Sequence, residues 1–162
     1  MRAVVGVMGS GDDGDAGLLE QARQLGEAIA GRGWVLLNGG RSTGVMDASA
    51  AGASSAGGLV IGVLPDEDSR RASAHLDVGI RTGMGDARNV VNVLSSDVVI
   101  ALPGGAGTLS EVALALNARR TVICLGLDPG EAFARFRATG LLRTAGSVDD
   151  AIESAADVLG AV

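Results

Sequence analysis

The sequence predicts an α/β fold, a single domain built on a doubly wound parallel sheet with helices on both faces. Short β-branched runs alternate with helical patterns along the chain, and glycine-rich turns follow several of the predicted strands. The hydrophobic content is 47%, but aromatic residues make up only 2%, so the core is built from Val, Leu, Ile and Ala, as is typical of parallel strands under small-residue helices. A chain of 162 residues is long enough for one such domain over residues 1–162.

The strands are predicted from apolar, β-branched runs that break at Gly, Pro, Asn or Asp. In chain order these runs lie at residues 2–8, 34–37, 59–64, 78–81, 97–102 and 121–125. The run at 121–125 is predicted to be the last strand. Because helical patterns separate most of these runs, the strands are expected to lie parallel.

The helices are predicted from apolar residues at helical spacing. The first covers residues 18–30, with Asp15 as its N-cap if the loop before it is solvated. The second, over residues 45–56, is rich in Ala, Ser and Gly and is predicted to pack closely against the sheet. A third helix, over residues 86–94, would turn Val90, Val91, Val93 and Leu94 toward the core. Three more are predicted at residues 109–117, 130–137 and 148–159.

The segment from Pro103 to Glu111 leads from a predicted strand into a predicted helix through a glycine-rich loop. Glycines allow the backbone to approach an anion closely, and the first N–H groups of the following helix point toward that anion. We therefore predict phosphate binding by residues of this loop, namely Gly104, Gly105, Gly107 and Thr108. The spacing matches neither the P-loop nor the GxGxxG dinucleotide fingerprint, so neither ATPase nor dehydrogenase chemistry is indicated.

Two further glycine-rich turns follow strands and are expected at the same edge of the sheet, where ligands of open parallel sheets bind. Gly9 and Ser10 follow the first strand, although the nearby aspartates would repel phosphate and favour a solvated loop as the alternative. Gly39 and Gly40 precede Arg41, which places a cation beside free backbone donors. All five are candidate ligand-binding residues, and an ordinary surface arginine is the alternative for Arg41.

Arg88 and Glu111 are the candidate catalytic residues. Arg88 lies in the first turn of a predicted helix, where a cation meets the wrong end of the helix dipole, so a bound anion or a carboxylate partner would explain its position. A solvated surface arginine is the alternative. Arg88 and Asn92 are four residues apart and share a helix face. The alternative for Glu111 is structural, because Thr108-Leu109-Ser110-Glu111 has the spacing of a capping box.

The composition and charge of the chain limit the kinds of partner and the compartment that we expect. A net charge of −6 argues against a nucleic-acid or anionic-membrane surface. The first apolar run is too short for a signal peptide or a membrane span, so we expect a cytoplasmic protein. Cys124 is predicted to be a buried strand residue and His75, the single histidine, a surface residue. The aspartates near Gly11 lack the EF-hand spacing, and no metal site is expected.

With these residues placed, the chain resembles a Rossmann-like superfamily once labelled lysine decarboxylases. That superfamily includes the cytokinin-activating LONELY GUY phosphoribohydrolases and the molybdenum cofactor carrier proteins. Residues 103–111 fit the PGGxGTxxE signature of the hydrolases in full, and the resemblance extends from the first strand to about Leu125. The segment from Thr82 to Asp97 is more similar to the carrier branch, because it keeps Arg88 but lacks the histidine and lysine of the hydrolase motif.

The resemblance implies three functions. A carrier would bind the molybdenum cofactor (molybdopterin) through its phosphate without chemistry, and this is the function we favour. A hydrolase would cleave a nucleoside 5′-monophosphate to free base and ribose 5-phosphate, with Arg88 positioning the substrate and Glu111 stabilising the transition state or activating water. A nucleotide sensor would have neither activity. The resemblance also implies a homodimer or homotetramer.

Overall fold

Seven parallel strands form one sheet in a computed structural model that describes residues 1–160. The strands are Val4–Met8 (β1), Val35–Asn38 (β2), Leu59–Leu64 (β3), Val78–Arg81 (β4), Val98–Ala101 (β5), Thr121–Leu125 (β6) and Leu142–Ala145 (β7). Their order is β4-β3-β2-β1-β5-β6-β7, with every neighbouring pair parallel. The chain therefore builds outward from β1 to β4 and then returns to the other side of β1 at β5.

Six α-helices cover the two faces of this sheet in the described residues. They are Ala16–Gly31 (α1), Gly44–Ser55 (α2), Asn89–Leu94 (α3), Ala106–Asn117 (α4), Ala134–Ala138 (α5) and Val148–Gly160 (α6). Buried residues of α1, α2 and α6 form one apolar cluster with the sheet, and residues of α3 and α4 form a second cluster on the opposite face. This arrangement confirms the predicted doubly wound α/β fold.

The small residues of α2 bring it against α1 as well as against the sheet. A Cβ on Gly26 of α1 would overlap the Ser49 carbonyl oxygen, and a Cβ on Gly52 of α2 would overlap the Arg23 carbonyl oxygen. The two helices thus cross with backbone in contact, which glycine allows because it has no side chain. Close approach fixes the α2 N-terminus beside the loop that follows β1.

Several predicted boundaries were wrong. The run at 121–125 is not the last strand, because β7 follows it; the Leu-Arg-Thr-Ala sequence of β7 lacks a clear apolar run since this strand lies at the sheet edge. The predicted helix over 86–94 divides into a 3₁₀ turn, Gly85–Arg88, and the short α3. Likewise, the helix predicted over 130–137 is a 3₁₀ turn, Glu131–Phe133, followed by α5.

Two apolar side chains of α3 do not face the core as predicted. Val90 is 41% and Leu94 is 56% exposed, whereas Asn92 and Val93 are buried. The helix is only six residues long and turns its Asn92 and Val93 face toward the sheet and α4. Val90 and Leu94 are one turn apart on the remaining face, so they form part of the molecular surface.

Other predictions were confirmed. Asp15 caps α1, its carboxylate accepting a hydrogen bond of 3.0 Å from the Leu18 amide, although the helix begins at Ala16. Cys124 is buried in β6, where burial raises the pKa of its thiol to about 11, and His75 is exposed. Among the helices described, none has the length and apolar character needed to cross a membrane.

Candidate functional site

A cleft of about 320 Å³ opens at the carboxyl edge of the sheet, where the strand order reverses between β1 and β5. Ligands of open parallel sheets bind at such a switch point. The cleft is lined by the end of β1 and its loop, by the first turns of α4, and by residues from the segments after β2 and β4. Its lining includes the predicted residues Gly9, Ser10, Gly39, Arg88, Gly105, Gly107, Thr108 and Glu111.

The N-terminus of α4 forms one wall of this cleft. The N-cap position is Gly105, which has extended backbone and no side chain to occupy the first amides of the helix. The first helical residue to donate back along the chain is Leu109, to the Gly105 carbonyl oxygen at 3.1 Å. The amides of the first turn, up to Thr108, are therefore left for a ligand, and the positive end of the helix dipole adds to them.

Gly104 allows this helix start to lie against the loop after β1. A Cβ at Gly104 would overlap the Thr108 hydroxyl and would lie 2.9 Å from the Ser10 amide nitrogen. The Ser10 amide donates a 2.9 Å hydrogen bond to the Pro103 carbonyl oxygen, which ties the two loops together. Gly104 thus shapes the cleft from behind, while Gly105, Gly107 and Thr108 line it.

The capping-box interpretation of Glu111 was wrong. The helix begins at Ala106, so Thr108 already lies in its first turn and is not the N-cap. Glu111 Oε1 accepts a 2.9 Å hydrogen bond from Asn92 Nδ2 of α3, so the carboxylate points toward the neighbouring helix. The sequence suggested the box because glycine favours helix only weakly, so the first turn of α4 was not recognised as helical and the helix was predicted to begin after Thr108.

Arg88 places a guanidinium at the cleft beside Glu111. Its side chain is 11% exposed, its Nη1 lies 3.9 Å from Glu111 Oε1, and its buried Nε finds no hydrogen-bond partner in residues 1–160. A Cβ at Gly39 would lie 2.6 Å from Arg88 Nη1 and 2.7 Å from Nη2. The guanidinium therefore lies against the Gly39 backbone, in the space that a Cβ would occupy. Because the Nε of Arg88 has no partner among the described residues, Arg88 keeps hydrogen-bonding capacity for a ligand.

Burial shifts the pKa of both charged groups. The Glu111 side chain is 9% exposed, and loss of solvent raises the pKa of its carboxyl; the Asn92 hydrogen bond and the charge of Arg88 oppose this shift. Burial likewise lowers the pKa of the Arg88 guanidinium, against the attraction of Glu111. Each ion compensates the other only in part, because 3.9 Å is longer than a charge-assisted hydrogen bond.

The structure does not bring Gly40 and Arg41 into the lining of the cleft. Gly40 is buried, has a φ of 74°, and donates its amide to Asn38 Oδ1 at 2.8 Å, so it shapes the turn after β2. Arg41 Nη2 lies 3.2 Å from each carboxylate oxygen of Asp66, in the segment after β3. The charge of Arg41 affects the cleft indirectly, because it repels the guanidinium of Arg88 and lowers the pKa of that group.

The N-terminus of α2, unlike that of α4, is occupied by the protein itself. The amide of Gly44 donates a 2.6 Å hydrogen bond to the Asp13 carboxylate, and the Val45 amide donates to the Ser10 carbonyl oxygen at 2.8 Å. An aspartate near the Gly9 loop therefore neutralises a helix end instead of facing a ligand.

Asn92 is the main residue of the site that sequence reasoning did not include. It is fully buried, and its Oδ1 has no hydrogen-bond partner among the described residues. A polar side chain sharing a helix face with Arg88 was the available signal, but its contact with Glu111 depends on how α3 packs against α4.

Met8, Met46 and Asp86 also line the cleft. Among residues 1–160, no three His, Cys, Asp or Glu side chains are grouped so that they could hold a metal ion.

Comparison with known proteins assigns the family. Residues 2–152 match the model of the SLOG cluster4 family. This chain belongs to the SLOG cluster4 family. The match confirms the resemblance that the Pro103–Glu111 signature indicated. Proteins named as phosphoribohydrolases and as molybdenum cofactor carriers are among those to which this chain is similar.

Two solved structures are similar over nearly the whole chain. One is a molybdenum cofactor binding protein from Rippkaea orientalis, 45% identical with a TM-score of 0.93 over 98% of both chains. The other is the molybdenum cofactor carrier protein of Chlamydomonas reinhardtii, 44% identical with a TM-score of 0.90 over 99% of both. The cytokinin riboside 5′-monophosphate phosphoribohydrolase of Mycobacterium tuberculosis is 42% identical over 99 residues, which cover 60% of this SLOG cluster4 chain and 53% of that relative. The matched region thus spans about half the length of that relative.

Proposed function

We propose that this protein binds a phosphate-bearing small molecule and that its cargo is the molybdenum cofactor. The observation that carries the proposal is the uncapped N-terminus of α4, which opens into the cleft beside Arg88. The first-turn amides would receive the phosphate, and Arg88, whose Nε is unpartnered within residues 1–160, would add charge and donors. Two similar proteins of 44–45% identity that are named for binding or carrying this cofactor support the choice of cargo.

The candidate ligand residues keep distinct roles in this proposal. The amides at Gly105, Gly107 and Thr108 would contact the phosphate, with Gly9 and Ser10 on the facing loop. Gly39 would act through Arg88. Gly40 and Arg41 would act from outside the cleft, since Arg41 is paired with Asp66. Binding requires no general base, so the carrier function does not need Glu111 to act as one.

A second function, phosphoribohydrolase, is supported by the buried Glu111 carboxylate in the same cleft. With a nucleoside 5′-monophosphate bound by its phosphate at α4, Glu111 would stabilise the oxocarbenium-like transition state or activate water, and Arg88 would position the sugar. The similarity to the Mycobacterium tuberculosis phosphoribohydrolase favours this alternative. The missing histidine and lysine around Arg88 count against it, because the segment reads Gly85-Asp86-Ala87-Arg88-Asn89.

One experiment separates the two functions. The purified protein is incubated with molybdopterin released from a donor protein, and the pterin that co-elutes on size exclusion is measured by fluorescence. The same preparation is incubated with AMP and isopentenyl-adenosine monophosphate, and free base and ribose 5-phosphate are measured by chromatography. We expect co-elution without turnover, and we expect Arg88→Ala to lose at least tenfold in pterin retention while the exposed Arg70→Ala retains it.

Other results would change the assignment. Release of free base by the wild type that disappears in Glu111→Gln would establish the hydrolase and overturn the carrier. Equal pterin retention by Arg88→Ala and the wild type would show that the cofactor does not occupy this cleft.

We also propose that the protein is a homodimer or homotetramer in the cytoplasm. Five large apolar side chains are 41–56% exposed at the edge strand β4 and around α3, namely Val78, Ile80, Met84, Val90 and Leu94. Burial of such a surface against a second copy would remove it from water. Cys124 is a free, buried thiol, so the fold contains no disulfide in the described residues and is compatible with a reducing compartment such as the cytoplasm.

A further inference from the structure

The cleft carries more negative than positive side-chain charge, which is unexpected for an anion site. Asp12, Asp86 and Glu111 line it, against one arginine, Arg88, in the described part of the lining. Asp12 and Asp86 are exposed, so water screens them. Glu111, which as a whole residue is 7% exposed, lines the cleft from within its low-dielectric wall. Glu111 is therefore the charge that most opposes binding of an anion.

Few groups compensate this carboxylate. From α3, Asn92 Nδ2 donates one hydrogen bond at 2.9 Å, and from the turn before α3, Arg88 Nη1 lies at 3.9 Å. Two further charged groups act on Arg88: the charge of Arg41 lowers the pKa of the Arg88 guanidinium, and the charge of Asp66 raises it. The loop after β1 contributes the exposed Asp12, and the turn after β2 contributes the uncharged Gly39. Within the described residues, the Asn92 amide is the one hydrogen-bond donor to this carboxylate.

We propose that anion binding at the N-terminus of α4 is coupled to the uptake of one proton by Glu111, so that the site holds a phosphate-type group beside a neutral carboxylic acid. The inference rests on the proposed function, because it requires an anion at α4. The proton comes from solvent and forms an O–H bond on the Glu111 carboxyl group. No other covalent bond changes.

Two consequences of protonation favour the bound state. A neutral carboxyl group no longer repels the anion, and its O–H can donate a hydrogen bond where the carboxylate could only accept one. Arg88 also loses its nearest counter-charge, so the full charge of its guanidinium acts on the ligand. Burial already raises the pKa of Glu111, so its protonation costs less free energy than that of an exposed carboxylate.

The coupling predicts the sign of the pH dependence. A bound anion raises the pKa of Glu111 further, so affinity increases as the pH falls between the pKa of the bound protein and that of the free protein. For one proton the dissociation constant changes by at most about tenfold per pH unit in that window. Below the pKa of the free protein, affinity becomes independent of Glu111.

The test follows Glu111 directly by NMR with sulfate as the probe, because sulfate keeps its double charge across the range from pH 4 to 8, unlike a phosphate monoester. Protein labelled with ¹³C at glutamate carboxyl groups is titrated with and without saturating sulfate, and Glu111→Gln identifies the Glu111 resonance. Binding is read from the amide resonances of Gly107 and Thr108. We expect sulfate to raise the titration midpoint of Glu111.

Glu111→Gln provides the matched neutral variant, and the exposed Glu131→Gln is the control. Sulfate affinity of Glu111→Gln is expected to be pH-independent and at least tenfold higher than that of the wild type at pH 8. Glu131→Gln is expected to keep the wild-type pH dependence. An unchanged Glu111 midpoint with sulfate bound would overturn the coupling and leave the anion site in place. Absence of any sulfate-induced shift at Gly107 and Thr108 at every pH would overturn the anion site itself, and the coupling with it.

Discussion

At the residue scale, the identity of Gly39 is explained by its neighbours. Its φ is not in the left-handed region, so its backbone would accept any residue. The space of a Cβ, however, is filled by the Arg88 guanidinium and by Met46 Sδ, at 2.6–2.7 Å. Gly39 therefore determines where the cation of the cleft lies.

We predict that Gly39→Ala weakens ligand binding without a large loss of stability. The new methyl group would push Arg88 and Met46 outward, and both are flexible side-chain ends that can move at low cost. A misplaced guanidinium loses part of its ligand interaction, so we expect about a tenfold loss of affinity for the bound anion. Calorimetric titration and thermal unfolding measure the two effects. Gly31→Ala, where a Cβ meets nothing within 4 Å, is the control, and equal affinity of the two variants would contradict the role of Gly39.

Glu111 also makes stability depend on pH. Burial raises its pKa above the ordinary value of 4.5, so the folded state binds a proton more tightly than the unfolded state. Its contribution to stability is therefore full below about pH 4.5 and is lost as the pH rises through the raised pKa. We predict that, relative to Glu111→Gln, the wild type loses free energy of unfolding between pH 4 and pH 8, as measured by urea denaturation. A difference between the two that stays constant over this range would contradict the assignment.

At the element scale, two helices that begin after glycine-rich turns end up with different roles. The N-terminus of α2 holds the Asp13 carboxylate at 2.6 Å, whereas α4 begins at Gly105 with no side-chain cap in the described chain. The sequence pattern alone predicts free amides at the start of both helices. They differ because the loop after β1, which is distant in the sequence from α2, places the Asp13 carboxylate at the start of α2. Of the two helix ends, α4 is thus the one whose first amides are left for a ligand.

Ala106→Pro tests this role of α4 by removing one amide donor. Proline is tolerated at the first position of a helix, and Gly105 already has the extended backbone that precedes proline readily. We expect an anion affinity reduced about tenfold, with a change in melting temperature similar to that of the matched variant Ala16→Pro, at the first position of α1. Affinity loss in Ala16→Pro of the same size would show that proline acts through the fold and not through the donor.

At the scale of the whole molecule, the reversal of strand order beside β1 places the site and the exposed apolar surface near each other. Asp86 and Arg88, between β4 and α3, line the cleft, while Val90 and Leu94 on the following helix are exposed. An assembly that covered α3 would therefore form next to the cleft. One short segment of the chain, between β4 and the end of α3, thus contains both residues that line the cleft and exposed apolar residues.

We predict that Leu94→Glu disrupts self-association. A buried charge without a partner is costly at an interface, so the dimer or tetramer expected for the wild type should shift to monomer at micromolar concentration. Sedimentation velocity measures the change, and Ala134→Glu, at an exposed position of α5, should sediment as the wild type does. A wild-type protein that sediments as a monomer would remove the prediction.

The sequence by itself determined the fold class, most of the strands and the glycine-rich loop at the N-terminus of α4. These follow from patterns a few residues long, such as the β-branched runs and the Gly104 to Gly107 cluster, whose physical cause is local. The edge strand β7 was missed because a strand packed at the margin of a sheet needs no continuous apolar run.

Only the tertiary structure decided which polar groups face each other. Asn92 and Glu111 are 19 residues apart, Arg41 and Asp66 are 25 apart, and Asp13 and Gly44 are 31 apart. Each pair joins segments that are distant in the sequence and depends on how the strands and helices next to them pack. Such contacts leave no periodic signal in the sequence, which is why the ion pair that holds Arg41 and the amide that holds Glu111 came from the structure.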